Sequence, residues 1–109
     1  SGGRKNWENY GAVSLAKAGL ESATRQLSIE LAKYGIAVNT IQAGVTDTKA
    51  LRAIPGSEDM VAKAVSVNPH GRLTQPSDIA DFLEILINYS SSWMTGNIIR
   101  IDGGEDITN

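Results

Sequence analysis

The sequence predicts an α/β fold, and three observations carry that expectation. Apolar residues recur at threes and fours through a long segment from Tyr10 to Lys33. A near-continuous apolar segment rich in β-branched residues follows it, and the same succession of helix then strand returns before the chain ends. Segments of helical period that alternate with short apolar strands are the pattern of helices packed on a sheet of parallel strands.

The first helix is defined by Val13, Ala16, Leu20, Ala23, Leu27 and Leu31, which fall on one stripe of a 3.6-residue period. Gly35 is expected to cap its C-terminus, and Lys33 in the last turn suits the negative end of the helix dipole. The stretch "IAVNTIQAG", with Ile36, Val38 and Ile41, reads as a parallel strand buried on both faces. Beyond Gly44, "VTDTKALRAIPGSEDMVAKAVSVNPHGRL" alternates turn residues with short helical patterns, notably around Ser57 to Val65, and reads as a mobile excursion rather than core. In "TQPSDIADFLEILIN", Pro76 fits the first turn of a helix and Asp78 complements its positive end. Ile79, Phe82, Leu83 and Leu86 are its buried face. A short strand, Asn97 to Ile101, then ends at Gly103 and Gly104.

Two parallel strands cannot bury both faces of a sheet or shield its edges, so the chain reads as the second half of something larger. The opening Ser1-Gly2-Gly3, a loop with no strand before it, supports the same expectation.

Composition excludes several classes. With 109 residues there is room for one core, and 41% hydrophobic with 20% charged residues is a globular rather than a disordered balance. A net charge of -2 with interspersed signs argues against a nucleic-acid surface. No cysteine and a single histidine leave no thiolate or His-rich metal site, so no metal is expected. The most apolar run, Ile79 to Ile87, contains Asp81 and Glu84 and falls short of the roughly 20 residues of a membrane span. With no signal-peptide pattern, a soluble cytoplasmic protein is expected.

The blocks "NYGAVSLAKAGLESATRQLSIELAKYGIAVNTIQAG", "GRLTQPSDIADFLEIL" and "TGNIIRIDGG" resemble the C-terminal half of a short-chain dehydrogenase/reductase, in order and spacing, over nearly the whole chain. The resemblance implies part of a Rossmann-type doubly wound parallel sheet, a nicotinamide cofactor (NADPH or NADH) and a homo-oligomer, dimer or tetramer. In most of that family a tyrosine stands four residues before a lysine. Here that place, relative to Lys17, holds Val13, and Tyr10 precedes Lys17 by seven. The wider spacing is similar to the enoyl-acyl-carrier-protein reductase branch, as are Asn9 and "LAKAGLE". Spacings of four and of seven both return to one helical face, so Tyr10, Val13 and Lys17 form one row. From spacing alone, Tyr10 reads rather as an aromatic at a helix start and Lys17 as a solvated cation, and it is the surrounding blocks that favour a catalytic pair.

The resemblance assigns roles residue by residue. Hydride reduction of an enoyl thioester places negative charge on the thioester oxygen, and the Tyr10 phenol would donate a hydrogen bond to it. A free phenol, with a pKa of about 10, is protonated at neutral pH. Lys17 would hold the nicotinamide ribose. In "QAGVTDT", Ala43 stands where much of the family has proline. Gly44 would let a ligand approach the backbone, Val45 and Thr46 would offer backbone groups to the nicotinamide carboxamide, and Thr48 a hydroxyl to the cofactor. Thr46 and Thr48 also fit ordinary turn chemistry. Asn39 resembles a structural strand asparagine.

Residues 45–72 correspond to a substrate-covering segment within a partial Rossmann-like domain, 1–109, in which Leu51, Ile54, Met60, Val61 and Val65 either line an acyl channel or pin the segment to the core. His70 reads as a surface loop residue rather than a base, and Trp7 as a wall of the site or a staple at the helix start. Nothing resembles the glycine-rich pyrophosphate loop, and the catalytic partner contributed by the family falls just before Ser1. The expected function is the catalytic half of an NAD(P)H-dependent oxidoreductase acting on an enoyl thioester, with acyl carrier protein as a partner. A ketoreductase or alcohol dehydrogenase, and a noncatalytic fragment acting as an assembly module, are the alternatives.

Overall fold

The first helix forms from a run of good helix formers with no proline, and Gly19 is its one weak interior position. The structure, a computed structural model, describes residues 11–108, with side chains in the first helix from Ser14 onward. Helix α1 spans Gly11–Leu31 and tightens into a 3₁₀ turn, Ala32–Tyr34. Gly35 ends it at φ 70°, its N–H donating to the Ala32 carbonyl, as its place in the sequence predicts. Strand β1 is Thr40–Ala43, α2 Lys49–Arg52, α3 Ser57–Val67, α4 Pro76–Ile87 and β2 Ile98–Ile101, followed by a 3₁₀ turn, Glu105–Thr108. The strands form a two-stranded parallel sheet.

The chain divides into two compact units. One comprises residues up to Gln42 together with Ser90–Ile99, the other Ala43–Tyr89 with Arg100 onward.

In the first unit, the buried row of α1 is not the leucine stripe. Thr24 and Ser28, one turn apart, are 3% and 8% exposed, while Leu20 and Leu27 are 55% and 45% exposed. At about 100° per residue, the buried face is rotated roughly 60° from the expected stripe. The reason is size: the short hydroxyl side chains let the helix close on its neighbours. The Thr24 hydroxyl donates to the Leu20 carbonyl at 2.8 Å and is hydrogen-bonded to the Thr40 hydroxyl on β1. Ser28 packs under Gly96, which sits at φ +79°, and a Cβ on Gly96 would lie 3.0 Å from Ser28 Oγ.

Strand β1 is shorter than its apolar run and is half-buried, with Ala43 exposed, rather than buried on both faces as expected. The Val38 N–H donates to the Thr95 hydroxyl rather than to a strand carbonyl, and regular pairing starts only at Thr40, whose N–H donates to the Asn97 carbonyl. Asn39 staples this junction as expected of a structural residue. Its Nδ2 donates to the Met94 carbonyl at 2.9 Å, and its Oδ1 accepts from the Asn97 N–H at 3.1 Å.

In the second unit, the segment read as a mobile excursion supplies core instead. The buried apolar side chains among the described residues include Ala64 of α3 and Leu73, both 5% exposed. Ser57 and Asn68, at the two ends of α3, are also buried. Asn68 Nδ2 donates to the Asp102 carbonyl at 3.0 Å, and its Oδ1 accepts from the His70 N–H at 2.8 Å. The first of these bonds, to a residue 34 positions away, fastens the segment, and turn-rich composition does not reveal it.

Helix α4 starts as predicted, with Pro76 in its first turn and the Asp78 carboxylate accepting from the Gln75 N–H at 2.7 Å. Arg72 grips the same carboxylate through two bonds of 2.8 and 3.0 Å. The Arg72 guanidinium and then the Gln75 N–H hold the Asp78 carboxyl at about 2, below its ordinary value. Its expected buried face is only partly covered: Ile79, Phe82 and Leu86 are half-buried and Leu83 is exposed.

Candidate functional site

The loop that follows β1, residues 44–48, is where the second unit gathers its most specific polar contacts. Gly44 does not take a positive φ; its lack of a side chain answers a packing need. A Cβ there would lie 2.7 Å from Thr74 Oγ1, 3.1 Å from Asp102 Cβ and 3.2 Å from Glu105 Oε2. That side of Gly44 is filled by the protein itself.

Val45 corrects an expectation. Its N–H donates to the Glu105 carboxylate, at 3.1 and 3.3 Å to the two oxygens, and its carbonyl accepts from the Thr74 N–H at 3.0 Å. The Val45 N–H is therefore committed internally rather than offered to a ligand. Thr46 is different. It forms an isolated parallel bridge with Thr74, in which the Val45 carbonyl and the Asp47 N–H make the bonds to Thr74. In a parallel bridge of this register the central residue's own N–H and C=O face the opposite side. Thr46 thus presents one donor and one acceptor side by side, the complement of a primary amide.

The two threonine hydroxyls serve the turn. Thr46 Oγ1 donates to the Gly44 carbonyl at 2.8 Å. Thr48 caps α2, its Oγ1 accepting from the Leu51 N–H at 3.1 Å. The Thr48 side chain is exposed and keeps its own hydroxyl hydrogen to donate. Arg52 turns back to Asp47 at 3.0 Å and closes the exposed end of the loop.

Lys17 lies in the first unit, exposed on α1. Tyr10, with Trp7 and Asn9, lies outside the described residues, as does the side chain of Val13. Of the apolar candidates in the substrate-covering segment, Leu51, Met60, Val61 and Val65 are half-buried, and Ile54 is 49% exposed.

A cleft of about 380 Å³ in the second unit shares Thr74 and Asp102 with the surroundings of Gly44 and is bounded further by His70, Arg72, Arg100 and Gly103. Its arginines are committed to Asp78 and Asp106, and His70 Nδ1 lies 2.9 Å from the Gly103 carbonyl oxygen, so His70 serves the loop. No group of three His, Cys, Asp or Glu that could hold a metal ion occurs among the described residues, and no helix among them is long and apolar enough to cross a membrane.

Thr74 and Glu105, which shape this loop, are not among the residues that the motifs single out. A signal was present in "DGGED", where Asp102, Glu105 and Asp106 are all buried, but only its glycines suggested a role.

Residues 1–106 match the family model described as Enoyl-(Acyl carrier protein) reductase. The chain is 38% identical to the NADH-dependent enoyl-[acyl-carrier-protein] reductase FabI of Synechocystis, over 97% of this chain and 41% of that one. It is 36% identical to an uncharacterized oxidoreductase of Mycobacterium tuberculosis, over 93% of this chain and 40% of that one. Among solved structures, FabI from Candidatus Liberibacter asiaticus superposes with a TM-score of 0.85 at 32% identity, covering 98% of this chain and 42% of that one. A small-chain dehydrogenase in complex with NADPH gives 0.80 at 32%, covering 97% and 48%. The chain spans about two-fifths of the length of these curated relatives and matches the C-terminal portion of a Rossmann-type doubly wound fold, as its motifs predicted. This chain belongs to the enoyl-(acyl carrier protein) reductase family of the short-chain dehydrogenases/reductases.

Proposed function

We propose that this chain is the catalytic part of an NAD(P)H-dependent reductase that saturates the double bond of an enoyl thioester. The observation that carries the reading is the outward edge of Thr46 in the loop after β1. Its paired N–H and C=O fit the carboxamide of a nicotinamide, which needs one donor and one acceptor together. Thr48 would add a hydroxyl, and Lys17 would hold the ribose. When bound, the reduced nicotinamide supplies the hydride. The residues of this chain position it and stabilise charge.

Tyr10 would donate its phenolic hydrogen to the thioester oxygen as the enolate forms, lowering the barrier by electrostatic stabilisation. The positive charge of Lys17 favours the same anion. The resemblance in "NYGAVSLAK" and the FabI relatives support an enoyl rather than a keto substrate, because Val13 has no hydroxyl at the family's common position. An acyl carrier protein as the carrier, a homo-oligomer and a cytoplasmic setting belong to the same proposal. A ketone or alcohol substrate is the second reading, favoured by 33% identity to a cis-4-hydroxycyclohexanecarboxylate dehydrogenase of Sinomonas cyclohexanicum.

The test is turnover of the whole protein with crotonyl and acetoacetyl thioesters and each nicotinamide. Tyr10→Phe is expected to lower crotonyl turnover about a hundredfold to a thousandfold with the fold intact. Unchanged turnover removes Tyr10 from the site; preference for the acetoacetyl thioester favours the second reading.

A further inference from the structure

We infer that Glu105 is the positioning residue of the nicotinamide loop: its buried carboxylate fixes the Gly44–Val45 peptide and so sets the direction in which Thr46 presents its N–H and C=O. The inference rests on the cofactor reading above and goes beyond it to a residue that takes no part in the chemistry.

Glu105 is 5% exposed, a depth at which a carboxylate is rare unless it is partnered. It reaches the loop across 60 positions of sequence to accept the Val45 N–H with both oxygens. The same Oε2 lies against the face of Gly44 where a Cβ would project. Glu105 is therefore both a hydrogen-bond acceptor and a steric floor for the loop.

The turn that carries it is itself braced. Asp102 accepts from the Gly104 N–H through Oδ1 and from the Asp106 N–H through Oδ2, both at 3.0 Å. The Glu105 N–H donates to the Asp102 carbonyl at 3.2 Å. Arg100 holds Asp106 at 2.9 Å, with the Asp106 side chain 2% exposed. A binding group is positioned well when its supporting shell is rigid, and these bonds supply that shell. Thr74 clamps the loop through the Val45 carbonyl and the Asp47 N–H. These two bonds hold both peptides that flank Thr46, and Glu105 holds the Gly44–Val45 peptide that precedes them, so the three successive peptides have little freedom to rotate and the outward edge of Thr46 is set before a ligand arrives.

The consequence falls on cofactor affinity rather than on chemistry. In the whole protein, Glu105→Ala is expected to raise the Kd for the preferred nicotinamide, read by fluorescence titration, about tenfold. KM for the cofactor should rise in proportion, with kcat and KM for the acyl thioester within about twofold of wild type. Protection of the Val45 amide against hydrogen exchange should fall in the protein without cofactor. Glu105→Gln, which keeps the length and one acceptor oxygen, should stay within about threefold of wild type. If Glu105→Ala does not fold, Glu105→Asp, too short by one methylene, carries the same expectation.

Wild-type affinity and Val45 protection in the alanine variant, or equal losses in the glutamine and alanine variants, would overturn the positioning role while leaving the cofactor reading intact. A wild-type protein that binds neither NADH nor NADPH removes the cofactor reading, and this inference with it.

Discussion

Replacing Gly44 by alanine tests whether the loop after β1 is seated as tightly as its contacts indicate. The backbone at Gly44 has no positive φ, so alanine meets no conformational penalty there. The obstacle is steric. The new methyl would lie 2.7 Å from Thr74 Oγ1, well inside contact distance, and 3.1 and 3.2 Å from Asp102 Cβ and Glu105 Oε2. Thr74 is 4% exposed and Glu105 5%, so neither can swing into solvent to make room. Overpacking of this kind costs about 1–3 kcal/mol, against about 0.4–1 kcal/mol regained because alanine restricts the unfolded chain. The net destabilisation centres on about 1.3 kcal/mol within a range of about 0–2.6 kcal/mol, a fall in Tm of about 3–5 °C at about 2–4 °C per kcal/mol. Thermal unfolding of the whole protein measures it. Gly19→Ala is the control: no atom lies within 4 Å of its Cβ in the middle of α1, and it should stabilise by about 0.5–1 kcal/mol. Thr74→Ala removes the nearest atom and should recover about 1 kcal/mol when combined with Gly44→Ala. If Gly44→Ala melts with wild type, or if the Gly44 and Thr74 effects simply add, the steric argument is wrong.

Two further outcomes concern other parts of the fold. Asn39→Ala removes the bonds to the Met94 carbonyl and the Asn97 N–H, and chemical denaturation should show a loss of about 1–3 kcal/mol; no change would mean that water replaces the side chain. Asp78 has a depressed carboxyl, at about 2 against an ordinary 3.8, so its contribution is complete above the higher value and disappears as pH falls toward the lower one. Asp78→Asn should therefore melt below wild type near neutral pH, and the gap should close between about pH 4 and pH 2; a gap independent of pH would remove the ionised Arg72–Asp78 pair as its cause.

The legible parts of this fold are those whose causes are local. Pro76 and Asp78 mark the start of α4 because a missing N–H and a carboxylate are both suited to a helix N-terminus, whatever else surrounds it. Gly35 marks the end of α1 because a left-handed residue is needed there. The buried face of α1 was not legible. Its leucine stripe is real as a pattern, yet the side that closes on β1 and Gly96 carries Thr24 and Ser28, because close approach selected small side chains over apolar ones. The excursion after Gly44 was not legible as core for a related reason: Asn68 is buried and held by the Asp102 carbonyl, 34 positions along the chain.

The candidate site divides along the same line. Residue order is enough to show that a glycine and two threonines follow a strand, that Tyr10 and Lys17 stand seven apart with Val13 between them, and that these blocks follow one another in the order of the enoyl-reductase family. Tertiary structure alone decided what each backbone group of the loop is free to do. Val45 looks equivalent to Thr46 in sequence, but Glu105 takes its N–H while the bridge to Thr74 turns the Thr46 N–H and C=O outward. The physical reason is that a peptide group's availability depends on whether something distant has already bonded to it, and a carboxylate 60 positions along the chain leaves no local trace of the amide it will hold.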